Sequence, residues 1–72
     1  MALHKIILKH KDGSVTKFFE NKNGTWDACL IPKSAEEPPN WVNALSATFM
    51  ISTVCAATDM GAKIKIEKGE DR

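Results

Sequence analysis

Residues 41–60 read WVNALSATFMISTVCAATDM and hold no charged side chain before Asp59. Asn40 stands in front as a candidate N-cap and Gly61 behind as a candidate C′ residue, so the stretch is predicted to form one long helix. On a helical wheel its apolar residues do not keep to one side. Leu45, Phe49, Val42, Ala56 and Met60 make one stripe, while Ala44, Ala47, Ile51, Val54 and Cys55 make another on roughly the far side. A helix apolar around most of its circumference is normally buried around most of it. One small sheet covers one stripe.

Three covers for the second stripe compete. A membrane is disfavoured: the uncharged run over 41–58 is at the short end for a span, is broken by Ser, Thr and Asn, and lacks basic flanks and an aromatic belt. A foreign protein would leave the free chain with an exposed, aggregation-prone patch. A second copy is the simplest cover, because most oligomers are homo-oligomers and most of those are two-fold dimers. The expected interface is Trp41, Ala44, Ala47, Ile51 and Val54 in a homo-oligomer, with a dimer favoured.

Outward from the helix, the N-terminal half alternates as strands do. Residues 3–11, 14–20 and 25–31 are predicted strands, separated by Asp12-Gly13 and Asn23-Gly24, two strong hairpin signals. Two-residue loops at both places pair Ile6 with Phe19 and Phe19 with Ala28. One face then collects Ile6, Leu8, Val15, Phe19, Trp26, Ala28 and Leu30. The other holds Ile7, Phe18, Cys29 and Ile31 among Lys5, Lys9, Thr16, Glu20 and Asp27. Pro38-Pro39 makes residues 32–40 a linker with room for one turn at most. After the helix, residues 62–68 (AKIKIEK) alternate cleanly and suit an edge strand, and the tail at 69–72 is expected to fray. The predicted fold is α+β over residues 1–72. It has a three-stranded antiparallel β-meander, one long helix packed on one face, and a C-terminal strand joining the sheet (β-β-β-α-β).

A chain of 72 residues is near the size at which one core only marginally offsets chain entropy. Its N-terminus resembles no secretory leader, since lysines interrupt every apolar run, so a cytoplasmic chain with reduced Cys29 and Cys55 is expected. The net charge of +1 is divided unevenly, +3 over residues 1–33 and −2 over 34–72. A single arginine is few for a protein that grips phosphates.

No catalytic, metal or cofactor motif emerges, and no catalytic residue, metal ligand or cofactor is assigned. His4 and His10 lack the paired spacing of zinc ligands, and the pairing above turns Cys29 away from His10. Cys29 and Cys55 sit in apolar surroundings without a base and read as buried, inert thiols. Glu36 and Glu37 are neighbours in a linker rather than a pair around a pocket. Trp26 reads as a core anchor; Trp41 reads as either a core or a partner-facing anchor. Lys5, Lys9, Lys11 and Phe18 form a weak candidate nucleic-acid contact on the sheet.

The leading expectation is a small, non-enzymatic, self-associating binding or inhibitor protein, of the kind that bacterial and phage accessory proteins exemplify. It would act by occupying a macromolecular surface or by sequestering a small ligand at a subunit junction. The alternatives are a nucleic-acid-binding module using the lysine-bearing sheet face and, more weakly, an enzyme whose site forms between subunits with His4, His10 or a cysteine.

Overall fold

A computed structural model describes residues 3–68; the tail expected to fray, 69–72, lies outside the described residues. The order of elements is β1 (His4–Lys9), β2 (Val15–Glu20), β3 (Trp26–Ile31), β4 (Asn40–Leu45), α1 (Ala47–Asp59) and β5 (Lys63–Lys68). The fold is α+β: one antiparallel five-stranded sheet in the order β4-β3-β2-β1-β5, with a single helix on one face. The last strand joins the sheet beside β1 and forms one edge.

The expected helix over 41–60 is corrected. Its first turn and a half is strand β4, which adds to β3 and forms the other edge. The order is therefore β-β-β-β-α-β, not β-β-β-α-β. Trp41 and Val42 are strand formers that follow Pro38-Pro39 after Asn40, and β3 offers them an unsatisfied row of backbone donors and acceptors. Ser46 supplies the cap that Asn40 was expected to supply: its Oγ accepts from the Phe49 N–H at 3.1 Å. The C-terminal boundary stands as expected. Ala62 N–H donates to Ala57 O and Gly61 N–H to Thr58 O, the paired bonds of a Schellman motif.

Both N-terminal hairpins have loops one residue longer than expected. His10 N–H donates to Ser14 O and Gly13 N–H to His10 O, leaving Lys11, Asp12 and Gly13 in the loop. The second hairpin repeats this with Asn21, Thr25 and a loop of Lys22, Asn23 and Gly24. Gly13 (φ 96°) and Gly24 (φ 87°) occupy the left-handed position that such three-residue loops require. Asp12 and Asn23 play the same part: each side-chain oxygen accepts from the backbone N–H and hydroxyl two residues on, at Ser14 and Thr25.

Each extra loop residue shifts the register by one. The two shifts cancel between β1 and β3 and leave only β2 turned over. Ile6 faces Phe18, and Phe18 faces Ala28. The helix-facing side thus holds Ile6, Leu8, Trp26, Ala28 and Leu30 as expected, but Thr16 and Phe18 replace Val15 and Phe19. Phe18 is 1% exposed and Leu8 0%, so the pair anchors the core. Met50 and Ala57 of α1 close over them, and Leu45, Val54 and Ala62 pack at the margin. Thr16, the buried polar residue of this core, is satisfied by a 2.7 Å hydrogen bond between its Oγ1 and His10 Nε2. Trp26 is a core residue, as expected. Among the described residues no helix is long and apolar enough to cross a membrane.

Candidate interaction surfaces

A five-stranded sheet is wider than one helix. Helix α1 buries Met50 and Ala57 and leaves both of its flanks open. On the flank towards β3 and β4 lies an open groove of about 1090 Å³, with Leu30, Pro38, Ala56 and Met60 among its apolar walls and His10 and Asn40 among its polar ones. The helical wheel puts Ile51 and Ala47 on the opposite flank, towards β1 and β5. There Ile64 and Ile66 of β5 lie across from Leu8 and Ile6 of the core face, yet they remain 45% and 64% exposed. Ile51 is 55% exposed. Ile64 and Ile66 are therefore open on an edge strand whose outer backbone pairs with nothing among the described residues, and Ile51 is open on the helix.

The structure divides the expected interface residues among different surfaces. Ala47 and Ile51 are exposed on α1, on the side of the helical wheel away from the groove. Val54 turns inward and packs against the core. Trp41 and Ala44 belong to β4, on the other edge. Ala44 sits at an irregularity in the β3–β4 ladder with φ 58°, and its N–H donates to Asp27 Oδ1 at 3.0 Å. Ile64 and Ile66 were missed as interface residues because strand alternation alone assigns them to the core. Their exposure is a consequence of strand order.

The sheet face without the helix is the second surface. Phe18, expected there as a weak nucleic-acid contact, is buried under the helix. Phe19 takes its place and stacks on Trp41, with ring centroids 5.7 Å apart and planes at 26°. Lys5 and Lys9 do lie on this face, with Lys17, Lys63 and Lys65, whereas Lys11 is in the first hairpin loop. Glu67 is drawn into this charge pattern. Its carboxylate meets Lys65 Nζ at 3.2 Å and Lys5 Nζ at 3.6 Å, and the Lys65 contact chiefly holds its pKa below the usual carboxylate range.

The titratable residues do not converge. His4 Nδ1 lies 3.0 Å from Glu20 Oε1 at one end of the β1–β2 pair, and a bond to His4 likewise holds the Glu20 carboxyl low. His10 is committed to Thr16. Cys29 is buried but Cys55 is exposed, which corrects the expectation of two buried thiols. Among the described residues no three His, Cys, Asp or Glu side chains are placed to hold a metal ion. Comparison of the chain with protein-family models, curated proteins and solved structures finds no match.

Proposed function

We propose that this chain is a small, non-enzymatic, self-associating binding protein whose two copies meet along β5. The observation that carries this reading is the exposed pair Ile64 and Ile66 on a strand edge that is unpaired among the described residues, with Ile51 exposed on the helix. Exposed apolar side chains next to a free edge are what a single copy covers least well and a second copy covers best.

Within β5, the segment Lys65-Ile66-Glu67 is complementary to itself when two copies run antiparallel. Pairing centred on Ile66 sets Ile66 against Ile66 and places Lys65 opposite Glu67 of the second copy, twice over. Opposite charges directly across a ladder stabilise it and like charges destabilise it. The joined sheet has ten strands with both helices on one side, and the Ile51 flanks meet above the seam. The groove beside α1 then remains open for a small ligand, and β4 remains a free edge for a macromolecular partner.

Sedimentation velocity across a concentration series tests the reading. The native chain should sediment as a dimer, and Ile66→Asp should sediment as a folded monomer, because that position is open in the single copy. A native chain that stays monomeric at high concentration, or a dimer indifferent to Ile66→Asp, overturns the proposal.

A further inference from the structure

Five lysines on the face opposite the helix, Lys5, Lys9, Lys17, Lys63 and Lys65, stand against Asp27 and Glu67. Glu67 is shared by Lys5 and Lys65, and Asp27 accepts from Asn21 Nδ2 and the Ala44 N–H. Among the described residues Lys9, Lys17 and Lys63 enter no ion pair. Lys9 is moreover directly opposite Lys63 in the β1–β5 ladder. Two ammonium groups placed across a ladder repel and weaken it. A polyanion laid over them reverses the sign of that contribution.

The aromatic pair lies on the same face. Phe19 follows Lys17 by two residues on β2, so both project from one side, and its partner Trp41 is 51% exposed. Cations that track a backbone beside an exposed ring that takes a base are the two elements of single-strand recognition. A duplex keeps its base faces stacked inside and has nothing to offer the ring.

We propose that this face binds single-stranded nucleic acid, with a base stacked on Trp41 and the phosphates running over Lys17, Lys9 and Lys63. Lys63 stands on β5, next to the proposed seam, but Trp41, Lys17 and Lys9 lie on other strands, so either proposal can fail alone.

Fluorescence anisotropy of labelled oligothymidylate and oligouridylate, titrated with the full chain at several salt concentrations, tests it. Three phosphate contacts predict a log–log salt slope of about −2. Lys9→Ala with Lys63→Ala should flatten that slope to about −0.7. Trp41→Ala should weaken binding roughly ten-fold, within the range for loss of one stacked base. Trp41→Phe should retain most of the affinity and so separates stacking from any damage to the sheet. Absence of binding at low salt overturns the proposal. Equal affinity for a duplex of the same length, or equal binding by Trp41→Ala, also overturns it by reducing the face to a general polyanion surface.

Discussion

Phe19 and Trp41 stack at 5.7 Å across the intervening strand β3, on the sheet face that has no helix. Beneath them Cys29, directly opposite Trp41 in the ladder, is only 6% exposed. The two rings do for this thiol what a second layer would otherwise do. Cys55, on the outer side of α1, is open. A thiol reagent should therefore modify Cys55 quickly and Cys29 slowly in the native protein. Trp41→Ala should accelerate Cys29 without changing Cys55. Equal rates for the two thiols in the native chain would refute the stacked roof.

The register of β2 has a direct energetic signature. Phe18→Ala removes a ring that is 1% exposed, and large-to-small changes at such sites cost about 3–5 kcal/mol. That is a large share of the stability of a domain this small. Phe19→Ala loses a half-covered ring and its stack, and should cost about half as much or less. Urea midpoints of the two variants distinguish the pairings. If Phe19→Ala is the more damaging, the three-residue loops are wrong.

Ala44 holds a left-handed backbone conformation (φ 58°) with an exposed side chain. A residue with a Cβ is strained there by about 1–2 kcal/mol. Glycine relieves the strain but gives back about 0.4–1 kcal/mol through its greater freedom in the unfolded chain. Ala44→Gly should thus raise stability by about 0.5–1 kcal/mol. A calorimetric scan showing a lower Tm for the variant would contradict the ladder irregularity at this position.

Asp12 holds the first hairpin by accepting from the Ser14 hydroxyl and backbone N–H, and those bonds keep its carboxyl below the usual range. A carboxylate whose pKa is lowered on folding stabilises the folded state above its unfolded value, near 4, and loses that contribution as the pH falls through its folded value. Asp12→Ala should lower the urea midpoint at neutral pH, and the gap to the native protein should narrow as the pH drops below about 4. A gap that stays constant with pH would mean that the turn draws nothing from the charge. The side chain is fully solvated, so the effect is small.

Much of the fold was legible in short-range pattern, because the forces concerned act over a few residues. Asp12-Gly13 and Asn23-Gly24 announced two hairpins, Gly61 ended the helix, and residues 62–68 alternated. Loop length was not legible. Two-residue and three-residue loops use the same Asp-Gly and Asn-Gly pairs, and only the fit of β2 against both neighbours selects Phe18 over Phe19 for the core. The two aromatics are adjacent, so hydrophobicity alone does not separate them.

The candidate surfaces lay further from view. Ile64 and Ile66 have the sequence of a covered strand face and became exposed because β5 joined the sheet at an edge that one helix leaves largely uncovered. Phe19 and Trp41 are far apart in the chain and met because residues 40–45 paired with β3 instead of extending the helix. Local propensity allowed either state for that segment, with Asn40 and Ser46 both able to cap. Residue order by itself determined the kinds of elements and most of their ends, through turn chemistry and side-chain alternation. Tertiary structure decided the side to which β2 turns, the state of residues 40–45 and the apolar groups left open, because those outcomes depend on contacts between strands distant in sequence.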